Sequence, residues 1–83
     1  MKRIDVSARS SDVRSIGFET RAQKNGPAVT VLEVEFSTGA VYQYDNVTNA
    51  LFDRIIGADS IGSTLACEVT SKPKQYPYRR IVG

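Results

Sequence analysis

The stretch "LEVEFSTGAVYQY", residues 32–44, predicts a β-hairpin whose loop length decides the fold. Its first half alternates apolar residues with two glutamates, which is typical of a strand with one buried face and one face toward water. A two-residue turn, Thr38-Gly39, would place Tyr42 and Tyr44 on the glutamate face. A three-residue loop over residues 37–39 would instead place both tyrosines on the apolar face.

The residue types of this loop favour the three-residue form. A type I turn followed by a bulge ends on a left-handed residue, and Gly39 occupies that position. A two-residue turn prefers Asn, Asp or Gly before the glycine, whereas β-branched Thr38 stands there. We therefore expect Tyr42 opposite Val34 and Tyr44 opposite Leu32, so that both rings cover the core and their hydroxyls reach its edge.

Strand patterns precede this hairpin and helix patterns follow it. Residues 4–8 and 13–20 alternate like strands, whereas residues 48–58 and 59–71 predict two short helices, the first capped by Thr48 and the second by Asp59 or Ser60. The predicted fold class is α+β, an antiparallel three- to four-stranded meander followed by two short helices packed on one face, in a single domain of residues 1–83. The predicted core is Ile4, Val6, Ile16, Phe18, Leu32, Val34, Phe36, Tyr42, Leu51, Phe52, Ile55, Leu65 and Val69.

Charge is segregated along the chain. Six of the eleven basic residues lie in residues 1–24 and four lie in residues 72–83, whereas residues 25–71 hold six of the nine acidic residues and one basic residue. This pattern fits a protein with two differently charged faces, and it fits equally well a protein whose basic ends neutralise its acidic middle.

The C-terminal segment, "KPKQYPYRRIVG", residues 72–83, interleaves cations with tyrosines, and its two prolines exclude a regular helix. We expect it to cross the domain surface or to supply an edge strand. Aromatic rings that stack bases, beside cations that meet phosphates, are typical of surfaces that bind single-stranded RNA. The candidate nucleic-acid-binding residues are therefore Lys72, Lys74, Tyr76, Tyr78, Arg79 and Arg80, with Tyr42 and Tyr44 as secondary candidates.

A structural interpretation of the same segment stays open. In that interpretation the two arginines neutralise Glu33, Glu35 or Glu68, and one of Tyr76 and Tyr78 anchors the segment by packing.

The composition argues against catalysis. The chain has no histidine and a single cysteine, so the commonest general base and the usual metal ligand are absent from the sequence. We expect Cys67 to be a buried structural thiol and the turn at residues 10–12 to be a backbone cap. The scattered carboxylates lack the spacing of a metal loop. The prediction is a protein with no catalytic residue, no metal and no cofactor.

The length of 83 residues limits how much surface the fold can bury, to about 60–65% of what the unfolded chain exposes. A functional site is therefore expected on a surface or in a shallow groove. No apolar run is long enough to cross a bilayer, and the start "MKRIDVSARSS" lacks the apolar stretch of a signal peptide. We expect a cytoplasmic protein without a membrane partner.

Six short motifs in order resemble those of the KTSC domain, a module named from the C-terminal ends of some lysyl-tRNA synthetases that also occurs alone in small bacterial and phage proteins. The motifs are "SSDV" (10–13), "LEVEF" (32–36), "GAVYQY" (39–44), "NVTNALFDRI" (46–55), "ADSIG" (58–62) and "YPYRRI" (76–81). The chain departs from the family pattern at Leu65-Ala66, where an aromatic residue and an asparagine are usual, and in a longer loop over residues 21–28.

The resemblance implies RNA binding and carries over no catalytic residue. The expected partner is RNA or a nucleotide. The alternative is a protein-interaction module, either a phage or bacterial protein that binds a host factor or a homodimer, because a small sheet leaves strand edges that a partner strand can extend.

Overall fold

A single antiparallel sheet with two helices on one face makes up the protein. The computed structural model describes residues 2–82; Met1 and Gly83, the two ends of the predicted domain 1–83, lie outside the described residues. The strands follow chain order across the sheet and are β1 (Arg3–Asp5), β2 (Val13–Arg21), β3 (Val29–Phe36), β4 (Val41–Asp45) and β5 (Tyr78–Val82). The helices are α1 (Asn49–Ile56) and α2 (Ile61–Leu65), and α2 continues as a π-helical turn over Ala66–Thr70.

The predicted α+β class is confirmed, but the predicted count of three to four strands is wrong because the sheet has five. The additional strand is β5, which follows the helices and pairs with β4. Pro77 stands immediately before it, where a missing backbone N–H costs nothing, and its carbonyl accepts a hydrogen bond from Asp45 N at 2.8 Å. The strand therefore begins only after the second proline, and neither proline lies within it.

The loop of the central hairpin has the predicted three-residue form. Phe36 N donates to Ala40 O at 2.9 Å, and Gly39 N donates to Phe36 O at 2.9 Å. Gly39 has a φ of 95°, in the region that favours glycine. The register that follows places Val34 opposite Tyr42 and Leu32 opposite Tyr44, as predicted.

The hydrophobic core lies between the sheet and the helices. Thr48 Oγ1 caps α1 by accepting from Leu51 N at 3.1 Å, and Ser60 Oγ caps α2 by accepting from Ser63 N at 3.3 Å. Ile4, predicted to be in the core, is 53% exposed because β1 is a three-residue strand at the sheet edge. The buried cluster is Val6, Val13, Ile16, Leu32, Val34, Tyr44, Val47, Leu51, Ile55, Ile61, Leu65 and Val69.

The opposite face of the sheet carries a polar network instead of two glutamates open to water. The side chains of Glu33 and Glu35 are only 13% and 21% exposed. Arg3 lies 3.6 Å from Glu33, Arg14 lies 3.7 Å from Glu35, and Gln43 Nε2 donates to Glu33 at 2.7 Å. The charges on this face are therefore largely satisfied internally.

Candidate nucleic-acid interface

Three tyrosines meet on the helix-bearing face of the sheet, at the side where β4 pairs with β5. Tyr42 and Tyr44 are two positions apart on β4 and so share a face, and Tyr78 of β5 lies directly opposite Tyr44. The ring centroid of Tyr42 is 6.4 Å from that of Tyr44 and 5.8 Å from that of Tyr78, and those of Tyr44 and Tyr78 are 6.1 Å apart. These contacts make one aromatic cluster from two strands.

The cluster forms one side of an open groove, which we call the tyrosine groove. Its lining residues are Tyr42, Tyr44, Tyr78, Thr70 and Pro73, and its volume is about 280 Å³. Thr70 is the last residue of the π-helical turn, a distortion that is common at functional sites. The tyrosine groove is therefore built from the sheet on one side and from the chain leaving the second helix on the other.

Exposure differs sharply among the three rings. Tyr44 is 4% exposed and is the most buried of the three, Tyr42 is half-buried, and Tyr78 is 57% exposed. Burial, helped by the neighbouring phenols of Tyr42 and Tyr78, raises the pKa of Tyr44 to about 12. The prediction that Tyr42 and Tyr44 belong to the fold thus describes Tyr44 best, whereas more than half of Tyr78 is open to solvent.

The two adjacent arginines of β5 point to opposite faces of the sheet. The guanidinium carbon of Arg80 lies 6.0 Å from the ring centroid of Tyr42, at the range of a cation–π contact beside the tyrosine groove. Arg79 shares the opposite face with Gln43, where its Nε donates to Gln43 Oε1 at 3.0 Å and its Nη1 contacts both carboxylate oxygens of Asp45 at 3.0 and 3.1 Å. Arg79 is therefore occupied within the fold, and Arg80 is not.

Neither arginine pairs with the glutamates named in the structural interpretation of the segment. Those three glutamates are held by other arginines, and the partner of Arg79 is an aspartate on the neighbouring strand. The ion pairs within residues 2–82 are Arg3–Glu33, Arg14–Glu35, Arg21–Glu19, Arg54–Glu68 and Arg79–Asp45.

Unpaired positive charge gathers near the tyrosine groove. The five ion pairs of the described chain include neither lysine of the C-terminal segment, Lys72 or Lys74, nor Arg80. The two lysines flank Pro73, which lines the groove, and no carboxylate lines it. The groove thus has aromatic surface, with two lysines and one arginine outside these ion pairs close to it in the chain or in space.

Tyr76, another candidate residue, serves as a packing anchor. Its ring is half-buried against the hydrophobic core, and its hydroxyl accepts a hydrogen bond from Gln75 Nε2 at 3.2 Å. The structure therefore brings together Tyr78, Arg80, Tyr42 and Tyr44, with Lys72 and Lys74 in the adjoining chain, and places Tyr76 and Arg79 elsewhere.

Two groove residues, Thr70 and Pro73, were missed by sequence reasoning. The sequence contained a signal for Pro73, because a proline ring between two lysines can provide an apolar stacking surface beside cations. Thr70 offered none, since its place in the groove depends on the return of β5 to the sheet.

The remaining sequence expectations concern catalysis and metals. Cys67, expected to be buried, is exposed because the buried stripe of its helix is Ile61, Leu65 and Val69. The hydroxyl of Ser10 accepts from Val13 N at 3.1 Å, as a turn cap does. Among residues 2–82 there is no group of three side chains from His, Cys, Asp and Glu that could hold a metal ion.

Within the same residues, neither helix has the length and apolar character needed to cross a bilayer.

Comparison with known proteins places the chain in a family. The KTSC domain model matches residues 9–72, which is more than half of the sequence, and the chain belongs to the KTSC domain family. A protein of Stutzerimonas stutzeri (strain A1501), described as an uncharacterized protein, is 38% identical over 81 residues, covering 98% of this chain and 99% of that one. The matched family region ends at Lys72, so β5, with Tyr78 and Arg80, lies beyond it.

Proposed function

We propose that this protein is a non-catalytic module that binds single-stranded RNA in the tyrosine groove. The observation that carries the proposal is the aromatic groove without carboxylates, bordered by three cations that form no ion pair in the described chain. Bases stack on tyrosine rings, and phosphates meet lysine and arginine, so both parts of a nucleotide find a matching surface.

The geometry suits an unpaired base. A base in the tyrosine groove lies against the exposed ring of Tyr78 on the sheet side and near Pro73 on the helix side. A volume of about 280 Å³ is at the lower end of ligand pockets, which span about 300–1,000 Å³, so the groove fits one planar group and not a folded ligand. Bases in a duplex are stacked on each other and cannot enter such a groove.

The expected affinity is modest. Stacking of one base contributes about 1–3 kcal/mol, and three cations add a phosphate attraction that depends on salt. A dissociation constant of about 10⁻⁴–10⁻⁶ M at physiological salt follows from such a small set of contacts. Tethering to a second RNA-binding module would strengthen binding through effective concentration.

The experiment is a titration of labelled single-stranded RNA, followed by fluorescence anisotropy, with two double variants of equal charge. We expect Lys72→Ala/Lys74→Ala to weaken binding at least about fivefold at low salt, because two phosphate contacts disappear. Lys2→Ala/Lys24→Ala removes the same charge away from the groove and is expected to change affinity less than about twofold. Single-stranded DNA and duplex RNA of matching sequence serve as comparison ligands.

Equal losses in the two double variants would show that binding follows net charge and not this site. No binding of RNA by the wild-type protein at low salt would contradict the proposal as a whole.

A second candidate function is strand addition by a protein partner or a second copy at β5. Three of the four large hydrophobic residues that are exposed, Tyr78, Ile81 and Val82, lie on this strand, whose outer edge has no neighbour in the part of the chain described. An unpaired apolar edge is a template for another strand.

This second candidate is tested by analytical ultracentrifugation over a wide concentration range. Self-association that Ile81→Lys abolishes would support a homodimer. A wild-type protein that stays monomeric throughout would exclude it and leave only a foreign partner strand.

A further inference from the structure

We propose that Tyr44 and Thr70 recognise the hydrogen-bonding edge of the base, so that the tyrosine groove prefers some bases over others. This inference rests on the proposed RNA binding and adds specificity to it. Stacking alone tolerates every base because every base has an aromatic face, whereas hydrogen bonds to base edges distinguish them.

Tyr44, the most buried of the lining tyrosines, supplies a hydrogen-bond donor to the groove. Its hydroxyl makes no hydrogen bond within residues 2–82, although the residue is only 4% exposed, and the oxygen keeps contact with solvent. Because burial raises the pKa of Tyr44 to about 12, this hydroxyl keeps its proton throughout the physiological range. A hydroxyl without an internal partner takes its hydrogen-bond partner from water or from a ligand.

Thr70 supplies an acceptor in the same groove. Its hydroxyl donates to Ala66 O at 3.2 Å, which commits the hydrogen and leaves the oxygen lone pairs available. Besides the hydroxyls of Tyr42 and Tyr78, the groove therefore has the hydroxyl of Tyr44 as a donor on the most buried ring and the hydroxyl oxygen of Thr70 as an acceptor. The Watson–Crick edge of a nucleobase carries donors and acceptors in one plane, whereas a proline-rich peptide, another ligand of tyrosine-lined grooves, offers carbonyl acceptors but no N–H donor at its prolines.

Discrimination follows from water exclusion. A base whose edge does not match displaces water from Tyr44 and leaves its hydroxyl unpaired, whereas a matching base replaces the lost hydrogen bond. One such hydrogen bond corresponds to about a 3- to 10-fold difference in affinity between bases.

The test compares four homopolymeric RNA oligonucleotides and an abasic sugar–phosphate oligonucleotide, each titrated against the wild-type protein and three variants. The wild-type protein is expected to show at least about a threefold spread in affinity among the four bases. Tyr44→Phe and Thr70→Val are expected to reduce that spread to within about twofold and to leave binding of the abasic oligonucleotide unchanged. Tyr76→Phe, which removes a hydroxyl outside the groove, is expected to keep the wild-type ranking.

Melting temperatures separate recognition from folding. Tyr44→Phe removes a hydroxyl without an internal partner, so its melting temperature is expected to stay within about 3 °C of wild type. If Thr70→Val melts much lower because the bond to Ala66 is lost, Tyr44→Phe decides alone.

An unchanged ranking in Tyr44→Phe, or equal wild-type affinity for all four bases, would overturn base recognition while leaving RNA binding intact. Failure of the wild-type protein to bind any oligonucleotide would overturn both proposals.

Discussion

Tyr44 is the residue whose environment makes the clearest prediction about pH. Its pKa is raised from an ordinary value near 10 to about 12 by burial, so the unfolded chain loses this proton before the folded chain does. Between these two pH values the folded state binds more protons, and stability therefore falls as pH rises. A shift of this size corresponds to a loss of at most about 2–3 kcal/mol once pH exceeds the folded value, and contact of the hydroxyl with solvent reduces that loss.

We expect the urea midpoint of the wild-type protein to fall between about pH 10 and pH 12, and Tyr44→Phe to flatten that fall. Tyr76→Phe, the matched control, is expected to keep the wild-type slope. Parallel curves for wild type and Tyr44→Phe would show that another group governs alkaline unfolding.

Of the neighbouring residues Arg79 and Arg80, we expect the first to contribute to stability and the second to RNA binding. Arg79→Ala removes the two contacts with Asp45 and one with Gln43, and should lower the free energy of unfolding by about 1 kcal/mol. Arg80→Ala should lower it by less than about 0.5 kcal/mol and weaken RNA binding several-fold. Urea denaturation and anisotropy on both variants measure this, and the reverse assignment of the two effects would contradict the structure.

At the scale of elements, the central hairpin depends on Gly39. A side-chain Cβ there would meet no atom within 4 Å, so a substitution costs backbone strain alone. We expect Gly39→Ala to lower the free energy of unfolding by about 1 kcal/mol, and Gly39→Asn to cost less because asparagine tolerates a positive φ. Urea denaturation measures both. A Gly39→Ala variant as stable as wild type would mean that the loop does not need the bulge.

Sequence could predict this hairpin because its loop chemistry is local. Glycine in the third loop position and a β-branched residue before it decide the register, and the register places Tyr42 and Tyr44. The same local reasoning predicted both helices, the cap of the first at Thr48, and a cap of the second at Asp59 or Ser60, of which the structure has Ser60.

The sequence predicted β5 less firmly than the hairpin, only as a possible edge strand. Its partner β4 is distant in the chain, since both helices lie between the two strands. The tyrosine groove needs that pairing, since Tyr78 comes from β5. The separation of Arg79 from Arg80 has the same origin, because alternation along β5 sends one arginine to each face of the sheet. The coverage of Glu33 by Arg3 likewise depends on a contact between distant strands.

At the scale of the whole molecule, the ion pairs leave most of the positive charge of the C-terminal segment, residues 72–83, without a carboxylate partner. Five pairs within residues 2–82 neutralise ten of the twenty charged side chains, and Lys72, Lys74 and Arg80 are in none of them. Both interpretations of the charge pattern hold in part, since Arg79 is neutralised by the acidic middle of the chain while its neighbours are not.

The salt dependence of the RNA association constant measures how many of these unpaired cations contact phosphates. Three phosphate contacts on a single strand predict a slope of about −2 for the logarithm of the association constant against the logarithm of salt concentration. Arg80→Ala should reduce the magnitude of that slope by about 0.7, and Lys24→Ala should leave it unchanged. Anisotropy titrations at several salt concentrations measure it, and a slope near zero would mean that phosphates are not contacted.

The central claim, that the tyrosine groove is the binding site, is tested most directly by NMR. Amide chemical shifts of the ¹⁵N-labelled protein are followed as single-stranded RNA is added, which shows where on the surface the ligand lies. The predicted result is a continuous set of shifts at residues 42–44, 70–74 and 78–80. Shifts confined to the opposite face, around Arg3 and Arg14, or to the loop at residues 22–28, would contradict the claim.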